Sequence, residues 1–387
     1  MRHALFLALF LAAPAAAQSA PQGEPAEQTI LVTGVRVQDY RDALARCLAR
    51  NCPPNEDADA TLALAEALFL DGEYREGRDT VQASLRRNAR QARNFPEPVS
   101  DLYRAHGRLS RHLGFDEDGR RSTYGILRAL REGIAQEDHR HFTARMEIID
   151  LLMRSANFVS ARRELRQLVE VARRAGRDDV ATIAELRMLL IDEVITPRGE
   201  ARGRLIQMAR LTGPNDRMRS TGAKILLARI YRDEGNHRRA DALIAEAGQA
   251  ARSGPARRLL HAPQYRLQVQ NLQQLIPGGI PDNFEDKWID VGFWVMPDGR
   301  VAGLEILRQS TRPDWADPLI RSIRGRRYSD GAEPTYRMER YTYTAAYARA
   351  TRTRLAVRSE TARIEYLDLT TDEPPNALPP ARPGERQ

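Results

Sequence analysis

The chain has 387 residues, which is enough for two or three domains, and its 42% hydrophobic content excludes wholesale disorder. Its formal net charge is +8, and nearly all of the positive charge is arginine, because Lys224 and Lys287 are the only lysines. These arginines alternate with acidic residues along the predicted helices, so the charge does not indicate a nucleic-acid-binding protein.

The amino terminus has the pattern of an export signal. Arg2 precedes an apolar run from Ala4 to Leu11, and three alanines end at Ala17. A charged start, a short apolar segment and small residues at the end predict a cleavable signal peptide over residues 1–17. The apolar run is shorter than the roughly 20 residues that a membrane-spanning helix needs. We therefore expect a mature protein in the bacterial periplasm, without stable membrane insertion.

Residues 18–38 are predicted to form a flexible leader with a short β-like run from Ile30 to Val37, which we interpret as an isolated strand or an ordered arm. Cys47 and Cys52 follow this leader. A closely spaced pair of cysteines in an exported protein predicts a disulfide, which would clamp the end of a helix to the next turn. The pair lacks the Cys-x-x-Cys spacing of redox-active sites.

Residues 39–262 are predicted to be helical, because apolar residues recur at spacings of three and four, as at Leu62, Ala65 and Phe69. Three windows in this region share one form: small, polar, aromatic, two variable residues, small, polar. They begin at Gly72, Ala156 and Gly235.

These windows resemble the turn and the second helix of tetratricopeptide repeats, which need small residues in the tight turn and where the two helices touch. The resemblance implies an α-solenoid of helical hairpins. The windows are about 80 residues apart, roughly twice the repeat length, so we expect further units around Leu113–Gly114 and near Ile195. A helical bundle without repeat geometry is the alternative.

A linker is predicted over residues 263–284, and a second unit follows it. Its first strand contains Val291, Phe293 and Val295, which alternate with residues of the other face, and a hairpin turn follows at Asp298 and Gly299. A second strand, a helix over residues 315–324 and a strand rich in tyrosine complete the predicted order.

This order and the motif Val291-x-Phe293-x-Val295-x-x-Asp298-Gly299-x-Val301 are similar to the carboxy-terminal domain of TonB, the periplasmic protein that pulls on outer-membrane receptors. We assign residues 285–370 to this resemblance. It implies that a partner adds a strand along the edge of the closing strand. The predicted partner-binding residues on this edge strand are Tyr341, Tyr343 and Tyr347.

Two further strands are predicted at residues 354–358 and 364–369, and they leave open the alternative that this edge is covered. The Pro-rich tail over residues 371–387 is predicted to be disordered.

The sequence contains no constellation that indicates catalysis. Gly114 and Gly119 have the spacing of a phosphate-binding loop, but arginines replace the Lys-Ser/Thr pair, so we interpret this stretch as a loop between helices. His139 and His141 would point to different sides of a helix that Asp138 caps. We therefore predict no catalytic residue, no metal site and no cofactor.

The predicted fold class is α+β and mainly α: an α-solenoid of tetratricopeptide-like hairpins, followed by a small TonB-like α+β domain. The predicted function is that of a non-catalytic periplasmic adaptor whose partners are proteins, including a TonB-dependent receptor or other envelope components. Two alternatives stay open. The first is an envelope protein that acts on peptidoglycan or peptides through a groove in the solenoid. The second is an energy transducer held at the membrane by an uncleaved signal.

Overall fold

The computed structural model of the protein describes residues 37–251, 259–261, 287–310, 314–349 and 356–370. The predicted signal peptide (1–17), linker (263–284) and tail (371–387) lie outside the described residues, as does the leader up to residue 36. The described chain is a helical array followed by a small antiparallel sheet, which confirms the predicted fold class. The first helix begins at Val37, so the last two residues of the predicted leader, Val37 and Gln38, belong to this helix.

The array consists of one helix and five helical hairpins within the described residues. Its helices are α1 (Val37–Ala49), α2 (Pro54–Asp71), α3 (Tyr74–Asn88), α4 (Pro96–His112), α5 (Asp116–Gly133), α6 (His139–Arg154), α7 (Phe158–Arg174), α8 (Asp178–Ile195), α9 (Glu200–Ala209), α10 (Arg217–Asp233) and α11 (His237–Ala251). The first helices of the hairpins are therefore α2, α4, α6, α8 and α10. Each first helix packs against the second helix that follows it, so the chain folds as consecutive hairpins.

The hairpin turns repeat at a regular interval. Gly72, Gly114 and Ala156 follow one another 42 residues apart, and Gly235 occupies the same place in the last hairpin. All four have a positive φ, between 54° and 88°, which glycine adopts at little cost. The three predicted windows begin at these turns, and the unit expected around Leu113–Gly114 is present. The repeat prediction is therefore confirmed over the bundle alternative.

A small residue also recurs in the first turns of the second helices, where it is buried against the first helix. These residues are Gly77, Gly119, Ala161, Ala201 and Ala240. The phosphate-loop-like spacing of Gly114 and Gly119 therefore combines a turn glycine with a helix-contact glycine. The units are longer than the roughly 34 residues of tetratricopeptide repeats, so the resemblance covers the hairpin architecture and not the repeat length.

The fourth hairpin departs from this regularity. Its connection runs from Ile195 to Glu200, with Arg198 at φ 62°, and α9 has only 10 residues. An open cleft of about 310 Å³ lies beside this connection, lined in part by Arg162, Asp192 and Arg204.

The carboxy-terminal unit contains strands β1 (Leu259–His261), β2 (Trp288–Val295), β3 (Val301–Gln309), β4 (Arg327–Tyr328), β5 (Thr335–Arg349) and β6 (Ala356–Asp368), with helix α12 (Asp317–Arg324). The main sheet has the order β3-β2-β5-β6 and is antiparallel throughout, while β1 pairs with β4. Two details correct the sequence analysis. Residues 259–261 form a strand where helix was predicted, and the two strands predicted after residue 354 are one strand, β6, paired along β5.

The main sheet is covered on both sides. On one side Val291, Phe293 and Val295 are fully buried against α12, as their alternation predicts. Asp290, on the opposite side of β2, is also fully buried. A charged residue with no exposure means that this second side faces protein, and its contacts lead to the helical array.

Candidate binding surface where the sheet meets the helical array

Arg340 on β5 forms the centre of the contact between the sheet and the array. Its side chain is fully buried and bonds to Asp290 across the sheet, with Nη2 2.8 Å from Oδ2. It also donates to the carbonyls of Phe69 and Leu70 in the last turn of α2. These carbonyls lie at the negative end of the helix, which favours a cation. The guanidinium further stacks 3.9 Å from the ring of Trp288.

Thr342, two residues further along β5, contacts two residues of the array: Tyr74, which begins α3, and His112, which ends α4. Its Oγ1 lies 3.1 Å from the hydroxyl of Tyr74 and 2.8 Å from Nδ1 of His112. Burial lowers the pKa of His112 to about 3, and the charges of Arg111 and Arg340 act in the same direction. The imidazole is therefore neutral at neutral pH, which suits a hydrogen bond to a hydroxyl group.

Two hairpin turns of the array approach the sheet closely. A Cβ on Gly72 would lie 2.6 Å from the indole nitrogen of Trp288, and one on Gly114 would lie 2.0 Å from the carbonyl oxygen of Ala345. The Gly114 carbonyl accepts a 2.8 Å hydrogen bond from the backbone of Tyr347. The turn glycines of the first two hairpins therefore have a second role, because they let the sheet dock.

The three predicted partner-binding tyrosines all lie on β5, but β5 is not an edge strand. β2 pairs with one of its sides and β6 with the other. The prediction of an edge position is therefore wrong, and the alternative of a covered edge is confirmed. Tyr341 and Tyr343 are buried within the sheet, and Tyr347 stacks 4.9 Å from Phe115 of the array. Within the described residues, the outer sides of β3 and β6 have no paired strand.

The predicted hairpin turn is confirmed. Gly299 has φ 76° and donates to the carbonyl of Met296 at 2.8 Å, while Asp298 accepts from the backbone of Arg300 at 3.1 Å. A Cβ on Gly299 would lie 2.1 Å from the carbonyl of Tyr328, so this glycine also permits the approach of β4.

Cys47 and Cys52 form a disulfide, with their Cα atoms 5.2 Å apart. Cys47 belongs to the last turns of α1, and Cys52 follows the turn, so the bond closes the helix end as predicted. Asp138 caps α6 through a 2.9 Å bond from the backbone of Arg140. No cluster of histidine, cysteine or acidic side chains suited to a metal ion occurs in the described ranges.

An arginine cluster lies where β6 meets the end of α4 and the start of α5, close to the end of α6. We define the arginine corner as Arg108, Arg111, Arg154 and Arg363. Arg363 is bonded to Asp116 at 2.9 Å and to Glu365 at 2.7 Å, and Arg111 lies 4.0 Å from Glu365. Arg108 and Arg154 make no hydrogen bond or ion pair with any described residue. Burial lowers the pKa of Arg108, and the neighbouring charge of Arg104 lowers it further.

Sequence reasoning missed both the docking contact and the arginine corner. Asp290 and Arg340 come together only because β2 and β5 pair, and Arg363 reaches α4 only because the sheet docks. One signal was available: Arg104, Arg108 and Arg111 recur at helical spacing on α4, and such a stripe lies along one side of a helix.

No protein family matches the chain, and no curated protein does. Among solved structures, BtubC (BKLC) from P. vanneervenii is 16% identical to this chain, with a TM-score of 0.41. The match covers 60% of this chain and 94% of the BtubC chain. The apo form of RapI is 12% identical, with a TM-score of 0.32, and the match covers 56% of this chain and 75% of the RapI chain. These similarities are too distant to indicate a function.

Proposed function

We propose that this protein is a non-catalytic scaffold of the bacterial periplasm, which holds protein partners on a surface shared by the helical array and the docked sheet. The observation that carries the proposal is the contact centred on Arg340, Asp290 and Thr342. This contact fixes the sheet against the ends of α2 and α4, so that the sheet and the array together present one surface. A fixed composite surface of this kind suits recognition of a protein segment.

The periplasmic part of the proposal is supported by two features. The sequence of residues 1–17 has the pattern of a signal peptide, and the Cys47–Cys52 disulfide suits an oxidising compartment. None of the helices in the described ranges combines the length and the apolar character needed to cross a bilayer. Amino-terminal sequencing and thiol counting of the mature protein test this part: a retained signal would favour the alternative of a membrane-held transducer, and two free thiols would oppose the proposed compartment.

The proposed partners are envelope proteins, and the resemblance to TonB suggests an outer-membrane receptor among them. The order of β2, β3, α12 and β5 supports this suggestion. Because β6 covers β5, a partner that adds a strand would have to use the outer side of β6 or β3, and not the tyrosines on β5.

Crosslinking in the periplasm, followed by identification of the captured proteins, tests the scaffold proposal. The full chain should capture a defined protein partner, and the Gly114→Ala variant should capture less of it, because the substitution disturbs the docking of the sheet. Gly176→Ala is the matched control, since Gly176 also has a positive φ but has nothing within 4 Å of the added Cβ. The absence of any protein partner for the full chain would contradict the proposal.

A further inference from the structure

The arginine corner contains positive charge that the surrounding acids do not neutralise. Arg104 bonds to Asp101 and, at 3.1 Å, to Glu147. Glu365 and Asp116 are bonded to Arg363. Each acid near the corner thus already has an arginine partner other than Arg108 or Arg154.

Among the arginines of the corner, the lack of an acidic partner matters most for Arg108. It lies between Arg104 and Arg111 on the same side of α4, and its side chain is half-buried. A guanidinium that has lost part of its hydration and has no hydrogen-bond acceptor among the described residues is destabilising. Repulsion from Arg104 and Arg111 adds to this, and attraction to Glu147 and Asp101 acts against it. A bound anion would supply the missing hydrogen-bond acceptor and would reduce the repulsion among the arginines. A planar guanidinium binds a carboxylate through two parallel hydrogen bonds.

Both parts of the molecule contribute to this corner. Arg108 and Arg111 come from α4, and Arg154 is exposed at the end of α6, whereas Arg363 comes from β6 and donates to the carbonyl of Arg111 at 3.1 Å. Without the docked sheet the corner would have no wall at the end of α4. The docked sheet therefore shapes one side of the site.

The surface beyond the corner indicates what kind of anion it would hold. The side chain of Arg187 on α8 pairs with Asp150 on α6, which joins the surfaces of these two first helices. Ile183 and Val194 lie four residues before and seven residues after Arg187, hence on the same side of α8, and they are 41% and 55% exposed. Basic residues followed by exposed apolar residues suit a peptide with acidic and apolar side chains better than a free inorganic anion.

We propose that Arg108, Arg111 and Arg154 bind the carboxylate of an acidic peptide segment of a partner protein, whose following apolar side chains contact Ile183 and Val194 on α8. This inference rests on the proposed scaffold function and names the chemistry of its partner. In this arrangement β6 holds the site in shape through the bond from Arg363 to the Arg111 carbonyl.

The test uses the full mature chain and a short fluorescent peptide with adjacent glutamates followed by leucine and valine. A peptide with glutamines in place of the glutamates is the matched control probe. By fluorescence anisotropy, we expect the glutamate peptide to bind more tightly than the glutamine peptide. Arg108→Gln should weaken binding of the glutamate peptide on the order of tenfold, the effect of losing one charge-assisted bidentate contact.

Arg229→Gln is the matched control variant, because Arg229 is exposed on α10, in the last hairpin, and makes no ion pair with any described residue. It should leave the affinity within about twofold. Thermal unfolding of both variants checks that the chain stays folded. Gly114→Ala should also weaken binding, although it removes no arginine, because it disturbs the wall formed by β6.

Equal binding of the two peptides, or no effect of Arg108→Gln in a folded variant, would overturn the inference. Displacement of the glutamate peptide by millimolar inorganic phosphate, with no preference for the peptide, would also overturn it and indicate a phosphate site. If a partner captured in the periplasm binds Arg108→Gln as well as the unchanged protein, the scaffold proposal stands and the arginine corner is not its recognition site.

Discussion

At the scale of single residues, the Asp290–Arg340 pair shows how a buried charge is accommodated in this protein. Both side chains are fully buried. Burial would by itself lower the pKa of Arg340, but its hydrogen bond to Asp290 raises it above the usual value, so the residue stays charged. Carbonyls of α2 and the ring of Trp288 complete its surroundings. The pair therefore helps to fix the position of the sheet, since Arg340 bonds to Asp290 and to the carbonyls of α2 at the same time.

Removing one member of this pair should strongly destabilise the fold. We expect Arg340→Met to lower the free energy of unfolding by about 3–5 kcal/mol, because Asp290 would keep a buried charge with one partner fewer. Denaturant titration measures the change. Arg300→Met is the control: Arg300 pairs with Asp298 at 3.3 Å on the surface, and its loss should change stability by less than about 1 kcal/mol. Equal effects of the two substitutions would show that the buried pair has no special role.

His112 makes the docked state sensitive to acid. Its pKa is about 3 in the folded protein, against about 6.5 in an unfolded chain, so between these values the unfolded state binds more protons. The stability that depends on neutral His112 is complete above pH 6.5 and declines as the pH falls. The groups that face it include Arg111, Arg340, Arg108 and Arg363, all positive, and Thr342, which accepts or donates without charge.

The His112→Asn variant should therefore have a shallower pH dependence. An amide can take the place of Nδ1 opposite Thr342 but does not titrate in this range. Between about pH 6.5 and 5.5 we expect the unchanged protein to lose roughly 1 kcal/mol more than the variant, as measured by denaturant titration at each pH. Parallel curves for the two proteins would show that His112 does not control the acid response. Burial also lowers the pKa of His106 to about 4, so part of the pH dependence of stability should remain in both proteins.

At the scale of structural elements, the hairpin turn serves two purposes in the first half of the array and one in the second. All turn glycines end a helix with a positive φ. Gly72 and Gly114 also touch the sheet, whereas Gly235 in the last hairpin turn and Gly176 in the turn between two hairpins have nothing within 4 Å of an added Cβ. The repeat pattern accounts for the first purpose, and only the docked sheet accounts for the second.

Alanine substitutions separate these two purposes. Gly176→Ala should lower the free energy of unfolding by about 1–2 kcal/mol, because a positive φ is unfavourable for a residue with a Cβ. Gly114→Ala should cost clearly more, because the Cβ would also meet the carbonyl of Ala345, a backbone group that cannot rotate away. Thermal unfolding of the two variants makes the comparison. Similar losses of stability would contradict the close approach of sheet and turn.

At the scale of the whole molecule, the buried contact predicts that the array and the sheet unfold together. All three tryptophans, Trp288, Trp294 and Trp315, belong to the carboxy-terminal unit, while most of the helical signal in far-UV circular dichroism comes from the array. The two probes should therefore report separate parts of the protein. Coincident transitions in denaturant would show that the parts are coupled.

We expect coincident transitions for the unchanged protein and separate ones for Gly114→Ala, with the tryptophan signal changing at lower denaturant concentration. The sheet should be lost first, because it is smaller and depends on the contact for the burial of one side. Gly176→Ala should keep the transitions coincident at a lower midpoint. Separate transitions in the unchanged protein would mean that the contact does not couple the two parts.

The regular features of the fold could be predicted from local patterns. Helical spacing of apolar residues indicated the array, the windows at Gly72, Ala156 and Gly235 indicated its hairpin turns, and Asp298–Gly299 indicated the turn between β2 and β3. Each of these signals acts over a few residues. The edge strand could not be predicted, because whether β5 is free depends on where β6 pairs, and strand pairing depends on contacts distant in sequence.

By itself, the sequence determined the hairpins, the disulfide between Cys47 and Cys52, and the side of β2 that packs on α12, since these depend on periodicity and short-range geometry. Only the tertiary structure decided that the sheet docks on α2 and α4, that β6 covers the closing strand, and that arginines from α4, α6 and β6 converge. Those outcomes require partners such as Asp290 and Arg340 to meet, and no local preference encodes their meeting.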